Sequence, residues 1–221
     1  MTDLWNMTYA LRVLPKLLDA TLVTIQITML AGVLSLSLGL VLALLRRSAW
    51  RPVSWPTAGF IDFVRSTPPL VQLYVLFYVL PEFGVVWSGM TVGVVGLGVH
   101  FATYASESYR AGIEGVAKGQ WEASVALNLP PQRLWFAIVL PQAIRAAVPS
   151  LANYIVGLFK DSALVAVVTV TELMRVALSE ANDTFRYIEP LTMAAIIYFL
   201  LSNIAAFGAI RLERRLARGA R

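Results

Sequence analysis

An all-α membrane protein with five transmembrane helices is the fold class this sequence predicts, and three observations predict it. Hydrophobic residues make up 58% of the 221 positions and charged residues only 14%, with a mean hydropathy of +0.69. A soluble domain carries about a quarter charged residues, so this composition calls for a lipid solvent. The apolar stretches also run on without alternating, which suits helices rather than barrel strands. Finally, Lys and Arg gather in alternate flanks of those stretches, which orients the chain.

Runs of about 20 apolar residues place the elements in order. A first helix covers about 20–45, a second about 58–80 and a third about 90–113, each close to one bilayer crossing. A fourth, irregular membrane segment covers about 134–178, and the last helix about 190–211. Arg46, Arg47 and Arg51 follow the first helix; Arg110, Lys118 and Arg133 surround the loop after the third; Arg211, Arg214, Arg215, Arg218 and Arg221 close the chain. With the N-terminus outside, all of these fall on the cytoplasmic side, and the smaller set Arg12, Lys16, Lys160, Arg175 and Arg186 falls opposite. The net charge of +5 is thereby read as membrane anchoring, with no nucleic-acid partner expected. Residues 1–16 form an external N-terminal segment, not a cleaved signal peptide, and residues 213–221 a basic cytoplasmic tail.

Within the first helix, Ala31, Ser35, Gly39 and Ala43 recur at every fourth position. Such a stripe of small residues lets membrane helices approach closely. Gly89 and Gly93 repeat the spacing at the start of the third helix.

Catalytic chemistry finds little material. The chain has three lysines, none after a phosphate-binding glycine loop, one histidine and no cysteine. A histidine-rich metal site or a Ser-His nucleophile pair has almost no material in that set. No catalytic residue, metal or bound cofactor is expected, which leaves transport or scaffolding. An intramembrane enzyme using Arg65, Glu107 and His100, or a passive channel, is the alternative.

The stretch "GQWEASVALNLPPQRLWFAIVLPQAIR" interrupts the apolar runs with a short polar helix and a double proline. Gly119 to Leu127 make about two helical turns, with Glu122 expected in the first turn, at the positive end of the dipole. Asn128 is expected to cap the helix in the left-handed conformation, and Pro130 and Pro131 prevent its continuation. Ala123, Ser124 and Ala126 would then form a small-residue surface on a rigid cytosolic helix, suited to a groove on a partner.

Two polar groupings lie inside the apolar segments. Arg65 and Glu107 fall a few turns inside the same cytoplasmic face and are expected to pair, since an unpaired intramembrane charge is costly. Lys160, Asp161 and Ser162, with Asn153 two turns earlier, suggest a broken helix whose adjacent opposite charges suit a zwitterion. Thr67, Gln72, His100 and Tyr104 would complete the walls of that solute pathway.

The interrupting stretch resembles the cytoplasmic EAA loop of ATP-binding-cassette (ABC) importer permeases. Glu122-Ala123-Ser124, Asn128, Ile138 and Leu140-Pro141 occupy the motif positions, with Ser124 in place of Ala and Asn128 in place of Gly. "VRSTPPLVQLYVLFYVLP", "TYASESYRAGIEGV", "PSLANYIVGLFKDSALV" and "VTELM" resemble the polar amino-acid (histidine/glutamine-type) branch, across residues 17–212, taken as one permease domain. Asn128-Leu129-Pro130 and "TFRYIEPLT" are most similar to ectoine and hydroxyectoine permeases. The resemblance implies a type I importer architecture in a bacterial inner membrane, with residues 119–133 as the coupling loop and Gly119, Glu122, Ala123, Ser124, Asn128 and Pro141 as its coupling positions. It further implies a second permease subunit (identical or sister), an external solute-binding protein, and two cytosolic ATPases that use ATP and Mg.

Overall fold

The computed structural model describes residues 4–218, which carry helices and no strand. The extremities of the expected external segment (1–3) and basic tail (219–221, with Arg221) lie outside the described residues. The helices are α1 (Met7–Arg46), α2 (Arg51–Ser66), α3 (Pro69–Tyr74), α4 (Gly89–Glu114), α5 (Lys118–Ala126), α6 (Pro131–Arg133), α7 (Leu140–Asp161), α8 (Leu173–Thr184) and α9 (Ile188–Arg218).

α1 begins more than three turns before the apolar run, so residues 7–16 are helical. Asn6 caps it, its side-chain oxygen accepting from the Tyr9 N–H over 3.0 Å. The charged residues of this extension are tolerated because they point outward: Lys16 pairs with Glu180 while Tyr9, Val13 and Leu17 are buried against α8 and α9. Hydropathy marks the lipid-facing part of a helix, not its end.

The expected second helix, 58–80, is two helices meeting at 104°. Pro68 pushes Thr67 into an extended conformation (φ −108°, ψ 139°), which ends α2, and Pro69 opens α3. α3 continues through a π turn, Val75–Val79, into a 3₁₀ turn, Leu80–Phe83. A second π turn, Leu134–Val139, links α6 to α7. Each π turn lies just before a proline, Pro81 or Pro141, which lacks the N–H of a regular ladder.

α7 passes into a 3₁₀ segment, Ser162–Val168, and Thr169 (φ 66°) turns the chain back. The expected fourth segment, 134–178, therefore ends early, and α8 is a separate helix. Glu172, fully buried, caps α8 through the N–H groups of Met174 (3.0 Å) and Arg175 (2.8 Å). It also accepts from the Tyr198 hydroxyl of α9 over 2.5 Å. At its other end α8 meets the start of α1, where the Tyr9 hydroxyl donates to the Glu180 carbonyl (2.9 Å), so the two helices run antiparallel.

α4 lies at the centre, between α1 and α7. Ala31, Ser35, Gly39 and Ala43 are all buried on the α1 face that meets it. A Cβ added at Gly39 would come 2.7 Å from the Ala105 Cβ and 2.9 Å from the Ala102 carbonyl, so glycine sets this approach. On the other side, a Cβ at Gly112 would collide with the Ala143 carbonyl of α7. Met7–Arg46, Pro131–Val168 and Ile188–Arg215 are long and apolar enough to cross a bilayer, and the bent pair makes a fourth if it counts as one span. α4, the expected third span, is not apolar enough to join them. Its neighbours shield it, so it carries Gly96, Gly98, Ala102, Thr103, Ala105 and Ser106 where a lipid-facing helix would carry large side chains.

Candidate functional site

α5 starts at Lys118, so Glu122 lies in its second turn, not its first, because the chain turns helical before Gly119. Its end is a complete Schellman motif. The Leu129 N–H donates to the Ser124 carbonyl (3.0 Å) and the Asn128 N–H to the Val125 carbonyl (3.0 Å), with Asn128 at φ 47°. Gly119, Glu122 and Ala123 are exposed, whereas Ser124 is buried and donates back to the Gln120 carbonyl over 2.7 Å. Ser124 therefore faces the protein, not a partner. Trp121 anchors this inner side by packing edge-on against Trp135 of the π turn, with ring centroids 5.7 Å apart. Val125 and Leu127 are 75% and 71% exposed, and Phe136 of the π turn is 73% exposed. Half-buried Pro141 opens α7 just beyond.

The break between α2 and α3 organises a polar cluster. Gln72, on the first turn of α3, donates to the Thr67 hydroxyl (2.7 Å) and to the Val64 carbonyl near the end of α2 (2.7 Å). Its side-chain oxygen accepts from His100 Nδ1 (3.2 Å), which selects the Nδ1–H tautomer of a buried ring. The His100 ring lies 5.3 Å from Tyr104, Tyr104 lies 5.7 Å from Tyr154 of α7, and the Arg65 guanidinium sits 5.0 Å above Tyr104. Thr67, Gln72, Val75, Gly96 and Val99 line a cavity of about 270 Å³ here.

Of the expected pathway residues, Thr67, Gln72, His100 and Tyr104 thus come together. Asn153 is exposed on α7 beside Tyr154. Ser162 is buried, and its hydroxyl donates to the Phe159 carbonyl over 2.7 Å. Asp161 is half-buried, and Lys160 opens instead into a groove between α7 and α9 with Tyr198, Ser202 and Asn203.

Arg65 and Glu107 approach to 4.0 Å, but Arg65 is the outermost of three arginines on that carboxylate. Arg46 pairs with it directly and Arg110 holds it at 2.8 Å, while Arg110 also binds Glu114 at 2.9 Å. Sequence reasoning passed over Arg46 and Arg110. The i,i+3 and i,i+4 spacing of Glu107, Arg110 and Glu114 carried the signal for Arg110, whereas Arg46 reaches Glu107 from α1 and has no such local spacing. Among the described residues, no group of three or more His, Cys, Asp or Glu side chains could hold a metal ion.

Known proteins share this sequence pattern and set of helices. Residues 35–218 match the family described as binding-protein-dependent transport system inner membrane component. The chain belongs to this family. It is 40% identical to a probable amino-acid ABC transporter permease protein of Sinorhizobium fredii (strain NBRC 101917 / NGR234), over 91% of this chain and 87% of that one. It is 35% identical to an arginine transport system permease protein of Bacillus subtilis (strain 168), over 92% of this chain and 93% of that one. Among solved structures, an amino acid ABC transporter crystallised with histidines superposes with a TM-score of 0.88 at 31% identity, covering 97% of this chain and 100% of that one. The inward-facing MetNI methionine ABC transporter shares the fold, with a TM-score of 0.76 at 18% identity over 90% of this chain and 95% of that one. The protein is accordingly a membrane permease subunit of an amino-acid ABC transporter.

Proposed function

We propose that this permease forms the membrane path of an importer that carries a polar amino acid or a related zwitterion into the cytoplasm. In this reading two permease subunits, identical or sister, stand in a bacterial inner membrane with five spans each, N-terminus outside and C-terminus inside. An external solute-binding protein delivers the solute, and two cytosolic ATPases that bind ATP and Mg drive the cycle. The observation that carries the reading is α5: a short helix fixed on its inner side by Trp121 and Ser124 and presenting Glu122, Val125 and Leu127 outward. A helix so braced transmits a push from a docked partner instead of absorbing it. ATP-driven closure of the ATPases biases the permease between outward and inward access by binding one state more tightly. Relatives named for arginine, L-cystine and glutamine support a solute among the amino acids, and the "TFRYIEPLT" segment extends the panel to ectoines.

The test is reconstitution with the ATPase and binding protein in vesicles, followed by uptake of arginine, glutamine, cystine, ectoine and hydroxyectoine. Glu122→Lys should insert normally yet lose solute-stimulated ATP hydrolysis and uptake. Wild-type uptake by that variant would overturn the docking role of α5, and ATP-independent uptake by the unaltered protein would overturn the importer reading and favour a passive channel.

A further inference from the structure

Many small hydroxyl side chains in this protein bond to a carbonyl of their own helix. Thr21, Thr28, Ser37 and Ser124 donate to carbonyls four residues back, and Ser35, Thr103, Ser106 and Ser162 to carbonyls three back. Ser202 breaks this pattern. It is 7% exposed, yet its hydroxyl has no partner among the described residues. It lines the groove of about 280 Å³ between α7 and α9 that also receives Lys160, Tyr198 and Asn203.

Lys160, exposed at the groove and next to Asp161, has no carboxylate at ion-pair distance among the described residues. Lys160 does lie in the last turn of α7, where the helix dipole favours a cation. That diffuse field does not occupy its three donors. Ser202 stands 14 residues into α9, about 21 Å from the start of the helix at 1.5 Å per residue, which is too deep for a lipid phosphate. Asn203 spends its amide N–H on the Phe199 carbonyl (2.7 Å) and keeps its side-chain oxygen as an acceptor. The groove thus combines a cation, an unspent hydroxyl donor and an acceptor at membrane depth.

We infer that the α7–α9 groove seats the carboxylate of the transported solute on Lys160 and Ser202, with the Asn203 oxygen beside it for the solute's ammonium. This rests on the amino-acid importer reading and adds α9 to the pathway. A carboxylate there replaces an unpaired cation and an idle buried hydroxyl with charge-assisted hydrogen bonds.

Two measurements on the reconstituted complex test it. In the first, uptake of L-arginine is compared with uptake of agmatine, which lacks the carboxylate, and L-glutamine with its methyl ester. Ser202→Ala should raise KM for the amino acids about ten-fold, the size of one hydrogen bond to a charged group, without changing uptake of the carboxylate-free analogues. Lys160→Met should erase the preference for the carboxylate altogether. In the second, Ser202→Cys introduces a single thiol into a chain that has no cysteine. A negatively charged methanethiosulfonate reagent should label it, and L-arginine or L-glutamine should protect it. Unchanged KM and selectivity in both uptake variants, or a Ser202→Cys thiol that resists the aqueous reagent, would overturn the groove assignment. If those results came with uptake still abolished by Glu122→Lys, the importer reading would stand without it.

Discussion

Asn128 shows how far a single residue can be read. A short helix ending before two prolines needs a left-handed terminator, and Asn fills that role second to Gly. The structure places Asn128 at φ 47° with both bonds of the Schellman motif made. Asn128→Gly should therefore leave uptake within about two-fold of wild type, whereas Asn128→Val, a β-branched residue forced into that region, costs about 1–2 kcal/mol. The valine variant should show faster proteolysis at the loop and slower uptake; equal behaviour of the two variants would mean the cap is dispensable. Glu107 shows where reading residue by residue falls short. The sequence points to one partner, Arg65, because both lie at similar depth. Folding adds Arg46 from α1 and Arg110 from the next turn of α4, and both lie closer. Glu107→Arg should consequently gain little from Arg65→Glu and more from Arg46→Glu, judged by folded yield in detergent. Full rescue by Arg65→Glu alone would restore the simple pair.

Elements were legible where lipid or close packing dictated composition, and obscured where protein replaced lipid. The small stripe on α1 was readable because close helix approach needs small side chains, and Gly39 meets α4 with no room for a Cβ. Gly39→Leu should thus separate α1 from α4 and cost about 1–3 kcal/mol by overpacking, read as a lowered Tm in detergent. Gly59→Leu makes a matched control, since nothing lies within 4 Å of the position where its Cβ would stand. An equal fall in Tm for both variants would tie the loss to glycine itself rather than to the α1–α4 contact. The α2–α3 break was missed although "STPP" announces it, because a window of about 20 residues averages the polar run from Arg65 to Pro69 with the apolar residues on either side. α8 escaped for the reverse reason. Its amphipathic sequence follows the 3₁₀ segment without a proline or glycine, and the turn rests on Thr169 at φ 66° and on buried Glu172.

At the scale of the molecule, a chain of close contacts runs from α5 to the residues expected to line the solute pathway. Trp121 of α5 leans on Trp135 of the π turn, and that turn feeds directly into α7, which carries Tyr154, Lys160 and Asp161. α7 in turn lies against α4 at Gly112 and Ala143, with no space for even a methyl group, and α4 presents His100 and Tyr104 to the polar cluster. None of this continuity was visible in the sequence, which gives periodicity along each helix but not which tryptophan meets which. A displacement of α5 therefore reaches α7 through the cluster that joins Trp121 and Trp135 to Val139 and Ala143, in which the aromatic pair is worth about 0.5–1.5 kcal/mol beyond its buried area. If that contact transmits the ATPase stroke, Trp135→Ala should leave assembly with the ATPase and basal ATP hydrolysis intact while solute-stimulated hydrolysis and the uptake rate fall together. Trp121→Ala should produce the same loss, and the double variant should be no worse than either single one, since both remove one joint. Additive losses in the double variant would show that the two rings act separately, and that the stroke reaches α7 by another route.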